Sequence, residues 1–194
     1  MLAKPGKPPE NPASYRPISL LPVICKLFEK LFYTRLIPII QDRNLIPDHQ
    51  FGFRKKHSTI DQVHRVTRHI TQALETKKFC SALFLDVSQA FDRVWHEGLM
   101  HKLSAMLPSK ICAIICSYLN DCSFQVSFGA AKLRKFAIKA GVPQSSFLGP
   151  ILYLLFTADI PAPTNRGTLS ATFADDSATL SSAPTYEEAN TNLQ

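Results

Sequence analysis

The run Ala171–Leu180, "ATFADDSATL", sets two aspartates side by side in a stretch that otherwise reads as strand. Adjacent carboxylates repel, and an apolar, β-prone setting raises the cost of keeping both ionised. Two arrangements meet that cost. One is a two-residue hairpin turn, where Asp is common. The other is a cation seated between strands. Both stay open on this stretch alone.

The other elements are read around this point. In Val23–Ile40 the residues Ile24, Leu27, Phe28, Leu31, Phe32 and Leu36 keep helical spacing, and Pro38 is expected to end or kink the helix. Before it, a Pro-rich extended segment predicts a short strand around Ile18. After it, "QDRNLIPDHQFGFRKKH" reads as a loop. Ser58 opens a second helix with a Ser58-Thr59-Ile60-Asp61 start, its buried face expected at Ile60, Val63, Val66, Ile70 and Leu74. "CSALFLD", Cys80 to Asp86, is a continuous apolar run that predicts a buried strand with an acid at its tip. A helix is expected from Val87 or Gln89 to Met106, and another from Pro108 with Ile111, Ile114, Ile115 and Leu119. "FQVSF" and "FAIKA" predict two strands joined through Gly129. "GVPQSSFLGP" opens a helix carrying Ile151 to Phe156, "TLSATFADDSATLSS" closes as a hairpin, and "PTYEEANTNLQ" begins a last helix. This mixture predicts an α+β fold, with helices on one sheet face and the other left for a long ligand.

The 194 residues suffice for one good core, and the net charge of +7 is compatible with a polyanionic partner. Basic residues concentrate in Lys4, Lys7, Arg16 and Arg54-Lys55-Lys56-His57, and again at Lys132–Lys139. Five cysteines without a CxxC pair predict packed thiols and a reducing compartment, nuclear or cytoplasmic. No run approaches the ~20 apolar residues of a membrane span, and the first residues lack a signal-peptide core, so neither a membrane nor secretion is expected.

Asp86 ends one expected strand and Asp175-Asp176 tip a hairpin. If those strands pair, three carboxylates meet at one sheet edge, a costly arrangement without counter-ions. Mg²⁺ resolves the conflict, since it takes oxygen ligands from carboxylates and substrate phosphates. Two such ions serve in-line displacement at phosphorus.

"FADD", "LDVSQAFDRVWHEGL" and "GVPQSSFLGPILYLLF", with "SYRPISLLPVICKLFEKL" and "FGFRKKHSTIDQV" upstream, resemble the reverse transcriptases of non-LTR retrotransposons. The jockey-like arthropod group is the nearest resemblance, and it runs from about Lys4 to Leu180. It implies a right-hand polymerase with an antiparallel palm sheet: fingers in about 1–78 and 98–143 and palm in about 79–97 and 144–194, with the family's thumb expected to be missing from this chain. It implies an RNA-directed DNA polymerase that adds dNTPs to a primer 3′-hydroxyl on an RNA template with two Mg²⁺, or Mn²⁺. Carried over by position, Asp86, Asp175 and Asp176 are catalytic. The same three and the Val87 carbonyl are metal ligands. Arg16, with Lys4 or Lys7, matches triphosphate contacts. Phe91 matches the aromatic residue under the sugar, and Gln144 and Ser145 line the nucleotide pocket. Arg54, Lys55 and Lys56 are suited to template phosphates, and Asp92 is read as structural.

One departure is plain: the family pattern after "GVPQ" is Gly-Ser, and here it is Ser145-Ser146. The resemblance further implies a piece of a polyprotein with endonuclease and thumb regions elsewhere. A truncated, inactive remnant that only binds nucleic acid is the alternative. An unrelated Mg²⁺-dependent phosphotransfer enzyme would leave "GVPQ" and "YRPIS" unexplained.

Overall fold

The structure is a computed structural model that describes the chain apart from residues 1, 4, 7, 9, 12, 13, 17, 18, 20, 129, 130 and 194. Ile18, Lys4, Lys7 and the Gly129 connection therefore lie outside the described residues. The chain divides into two compact units, Met1–Leu45 with Phe91–Phe156, and Ile46–Ala90 with Thr157–Gln194.

The first unit is mainly helical. Strands β1 (Leu2–Ala3) and β2 (Tyr15–Arg16) pair antiparallel, Leu2 opposite Arg16. Helix α1 spans Val23–Asp42 and runs through Pro38 rather than ending there. A proline inside a helix costs about 3 kcal/mol. Burial of Phe32, Leu36 and Ile40 along one stripe holds the last turns in place against that cost. Further on, the single helix expected up to Met106 is broken. A 3₁₀ turn covers Ala90–Arg93, and α3 begins only at His96 and ends at Met106. The cause lies in the carbonyls. Those of Phe91 and Val94 accept from the amides of Val142 and Gly141, so they are not available to an α-helical ladder. Helix α4 (Ser109–Leu119) follows Pro108 and buries Cys112, Ile115 and Leu119. Its neighbour Ile114 faces out.

In place of the two strands expected at "FQVSF" and "FAIKA", this segment forms two pairs of two-residue strands: β4 (Ser123–Phe124) with β7 (Phe136–Ala137), and β5 (Ser127–Phe128) with β6 (Ala131–Lys132), the last lying outside both stretches. Helix α5 (Leu148–Phe156) is buried from Ile151 to Leu155, and α3 packs against both α4 and α5. A helix apolar on every side belongs in a core.

The second unit is a three-stranded antiparallel sheet with two helices. Helix α2 (Thr59–Glu75) starts at Ser58, where the expected capping box is formed: Ser58 Oγ accepts from Asp61 N, and the Asp61 carboxylate accepts from Ser58 N. The sheet holds β3 (Phe79–Leu85), β8 (Thr168–Phe173) and β9 (Asp176–Ala183) in the order β3-β9-β8. Helix α2 packs on all three strands, and α6 (Tyr186–Thr191) packs on β3 and β9. Ser81 Oγ donates to Asn190 Oδ1 at 2.7 Å, which pins α6 to the start of β3.

Two expectations fail here. Strand β3 is not buried: Leu83, Phe84 and Leu85 are exposed, and β3 is an outer strand that, unlike β8, has no loop laid along its free edge among the described residues. The inward stripe of α2 also differs from the apolar one. Ile60, Val63 and Leu74 are exposed, while Gln62 and Ala73 are buried. Gln62 faces inward because its amide donates to the carbonyls of His49 and Thr172, at 2.8 and 2.9 Å. A polar anchor has overridden the apolar periodicity. Among the described residues no helix is long and apolar enough to cross a membrane.

Candidate functional site

The opening hairpin is real, and its register settles where the acids go. β9 pairs antiparallel with β3, with Leu85 opposite Ser177, so the next step along sets Asp86 beside Asp176. On its other edge β9 pairs with β8, with Phe173 opposite Asp176, which leaves Ala174-Asp175 as a two-residue turn. The backbones of Asp86, Asp175 and Asp176 therefore share one end of one sheet. Residues opposite each other in an antiparallel pair are ~4.5–5.5 Å apart at Cα.

The side chains are less close. Among the described residues, no three His, Cys, Asp or Glu side chains are gathered so as to hold a metal ion. The expected meeting of three carboxylates holds for the backbone and not for the carboxylates themselves. Asp86 and Asp176 are exposed at this end of the sheet. In kind and in backbone placement the donors still fit a hard divalent cation, which takes carboxylate and carbonyl oxygens. Val87 follows Asp86 directly and is exposed.

The turn itself is unusual. Ala174 has φ +60°, a left-handed value that costs a non-glycine residue about 1–2 kcal/mol. Its conformation is held from outside the hairpin. Gln50 is 6% exposed, and its Oε1 accepts from Ala174 N at 2.9 Å and from Gly52 N at 2.7 Å. Its Nε2 donates to Ala174 O at 3.1 Å. The loop carrying Gln50 docks on β8 as a short ladder: Phe51 N donates to Thr172 O and Thr172 N to His49 O. Gly52 passes so close that a Cβ there would sit 2.2 Å from Ala174 N. Only glycine fits such an approach.

The basic run is split by this arrangement. Arg54 Nη1 donates to the carbonyls of Pro47 and Gln50, at 3.0 and 3.1 Å, so this guanidinium braces the loop. Lys55 and Lys56 are exposed. The Phe51 ring lies edge-on to His57 and beneath the Arg65 guanidinium, 4.9 Å from its centroid. Burial, reinforced by Arg65, pushes the His49 imidazole below the ordinary histidine range, with Asp48 opposing. Burial also lowers His69, against a backbone hydrogen bond with Gly167.

In the other unit the structure describes the remaining candidates separately. Arg16 lies in β2. Phe91 packs its ring on Tyr153, centroids 4.7 Å apart. Gln144 Nε2 donates to Asp92 Oδ1 at 2.7 Å, which gives Asp92 a holding role. Ser145 has φ +67°, so the serine occupies a glycine-type conformation. The next residues are anchored. Ser146 Oγ accepts from Gly149 N at 2.7 Å. Phe147 N donates to Glu29 Oε2 at 3.1 Å, and Tyr118 Oη donates to Glu29 Oε1. Glu29 is 1% exposed on α1. Burial, then the Glu29 bond, drives the Tyr118 phenol well above the usual tyrosine range.

Sequence reasoning missed Gln50, Gly52, Glu29 and Tyr118. The signal available for Glu29 was a lone acid flanked by apolar residues in "KLFEKLF". Gln50 carried no signal beyond a glycine two residues later.

Comparison with known proteins places these observations in context. Residues 3–194 match the family model described as "Reverse transcriptase (RNA-dependent DNA polymerase)". The chain is 49% identical over its full length to the "Probable RNA-directed DNA polymerase from transposon BS" of Drosophila melanogaster, covering 22% of that protein. It is 41% identical, again over its full length and 22% of the relative, to the "RNA-directed DNA polymerase from mobile element jockey" of the same species. It thus spans about a fifth of the length of these curated relatives. Among solved structures, telomerase from Candida tropicalis superposes with TM-score 0.60 over 88% of this chain and 30% of that one, at 12% identity.

Proposed function

Since the chain belongs to the reverse transcriptase family, we propose that it contributes the catalytic end of an RNA-directed DNA polymerase of a non-LTR element. The reaction is addition of a dNTP to a primer 3′-hydroxyl opposite an RNA template, with release of pyrophosphate. The observation that carries the reading is the register of β3 on β9, which brings the backbone of Asp86 alongside Asp176 and the Ala174-Asp175 turn. Asp86, Asp175, Asp176 and the Val87 carbonyl would hold two Mg²⁺, or Mn²⁺. When bound, such ions stabilise the attacking and leaving oxygens of an in-line displacement at phosphorus.

The chain's own residues do the rest. Arg16 takes the triphosphate, as charged clamps do at a transferring phosphoryl group. Phe91 offers its ring to the sugar, held by Tyr153. Gln144 and Ser145 line the nucleotide pocket, with Gln144 oriented by Asp92. Lys55 and Lys56 meet template phosphates, positioning a strand without reading it, while Arg54 fixes the loop that bears them. In this reading the palm draws on about 79–97 and 144–194, with helices packed on one face of its sheet, and the fingers on about 1–78 and 98–143. The whole works within a larger polyprotein that also supplies a thumb and an endonuclease, in the nucleus or cytoplasm.

The test is single-nucleotide extension of a DNA primer on an RNA template, by this chain joined to a family thumb. Extension that requires Mg²⁺ or Mn²⁺ and disappears in Asp175→Asn is expected. Tight primer-template binding without extension would overturn the catalytic reading and leave nucleic-acid binding alone.

A further inference from the structure

The Ala174-Asp175 turn carries Asp175 and leads directly into Asp176 at the start of β9, yet its own residues do not favour its shape. Alanine at φ +60° is strained, and a two-residue turn of this form ordinarily takes glycine at that position. Something else must over-determine it. The hydrogen bonds identify what does. Both backbone groups of Ala174 are satisfied by one side-chain amide, the N–H by Gln50 Oε1 and the C=O by Gln50 Nε2. Oε1 is itself fixed by Gly52 N, and the Gln50 backbone is fixed by its N–H bond to Pro47 O and by Arg54 on its carbonyl. The amide is buried and its rotation is blocked, because each of its two ends has a partner of the right polarity. Exchanging oxygen and nitrogen would set donor against donor.

We infer that Gln50 is a positioning residue: it clamps the Ala174 peptide groups so that Asp175 and Asp176 are presented beside Asp86. This rests on the metal-binding reading above for its consequence, though not for the clamp itself. Gln50 touches no reacting atom in this scheme. It acts through the turn, and Arg54 acts through Gln50. The geometry also accounts for Gly52, whose missing side chain lets the loop approach Ala174 closely enough for the clamp to close.

The experiment uses the 194-residue chain with two readouts: amide hydrogen exchange resolved at Ala174, and Mn²⁺ titration followed by electron paramagnetic resonance. Gln50→Ala removes both clamp bonds. The Ala174 amide is expected to exchange about 10-fold faster or more, on the scale of lost hydrogen bonds. The amide of Leu180, deep in β9, should keep its rate. Mn²⁺ affinity is expected to fall by about 5-fold or more. Gln50→Glu keeps the acceptor for Ala174 N and loses the donor, so it should fall between. Glycine needs no clamp at positive φ, so adding Ala174→Gly to Gln50→Ala should recover part of the lost affinity. A purely structural glutamine would give no such rescue.

Unchanged exchange at Ala174 in Gln50→Ala overturns the clamp. Faster exchange with undiminished Mn²⁺ affinity, or no rescue by Ala174→Gly, overturns the positioning role while leaving the metal site intact. A wild-type chain that binds no Mn²⁺ refutes the metal reading itself and the positioning role with it. The exchange data still separate that failure from a failure of the clamp.

Discussion

Replacing Glu29 separates two things a buried carboxylate can contribute, its charge and its hydrogen-bond geometry. The two oxygens are divided between two donors, Tyr118 Oη on Oε1 and Phe147 N on Oε2. Glu29→Ala orphans both donors, at about 1–3 kcal/mol for each group left unpaired in a buried site. Both bonds are only part-buried, so water recovers some of that loss, and a total of about 2–4 kcal/mol is expected. For a chain of this size that is a fall in Tm of roughly 5–15 °C.

Glu29→Gln should behave differently. With its oxygen toward Phe147 N and its NH₂ toward Tyr118, the introduced glutamine keeps both contacts, provided the phenol turns to accept. The cost should stay under about 1 kcal/mol. Tyr118→Phe completes the cycle: it should cost more in the wild-type background than in the Glu29→Gln background, because a carboxylate that has lost its donor is the worse remainder. Thermal and urea melting of these variants beside the wild type measures all of this. If the Gln and Ala variants lose equal stability, charge rather than bond geometry was at stake. If Glu29→Ala loses less than about 1 kcal/mol, the anchoring described for Phe147 is not energetically real.

Ser145→Gly relieves about 1–2 kcal/mol of backbone strain at φ +67° and gives back about 0.5–1 kcal/mol in unfolded-chain entropy. A net gain of about 0–1.5 kcal/mol in melting is expected, whereas Ser145→Val should destabilise. Equal losses in both would refute the strain. On the acid side, His49 and His69 have folded pKa values lowered by burial. Their contribution is complete above about pH 6.5, the unfolded value, and is lost as pH falls below it toward the folded values. Urea midpoints between about pH 8 and about pH 5.5 should therefore drop more steeply for the wild type than for the His49→Gln/His69→Gln variant. Parallel curves would refute the assignment.

What the sequence disclosed is instructive in its selectivity. The pairing of "CSALFLD" with "ATFADDSATL" was legible because two short strand patterns each delivered an acid at the same end. The Ser58 capping box was legible because it is local: four residues contain the whole bonding scheme. Failures came where a distant partner decides. The helix expected through Phe91 breaks because Gly141 and Val142, far along the chain, claim its carbonyls. The face of α2 is set by Gln62 reaching backbone carbonyls of another loop and strand. Gln50 and Glu29 were invisible for the same reason: a glutamine or glutamate reads as solvated until the groups it satisfies are known. Apolar periodicity reports where water is excluded on average, and single polar anchors are exceptions to it.

The sheet's two margins are treated unequally. β8 has the loop around His49–Phe51 laid along it, while β3 pairs on β9 alone among the described strands. The open margin, "FCSALFL", has no charge, proline or glycine, and Phe79, Leu83, Phe84 and Leu85 are exposed. Natural proteins blunt such strands with lysine, proline or a bulge, because unpaired backbone groups template pairing with another chain. This one lacks every such guard. Handled by itself at high concentration, the polypeptide therefore has a built-in route to edge-to-edge aggregation that starts from the folded state, and its yield will be governed by one strand.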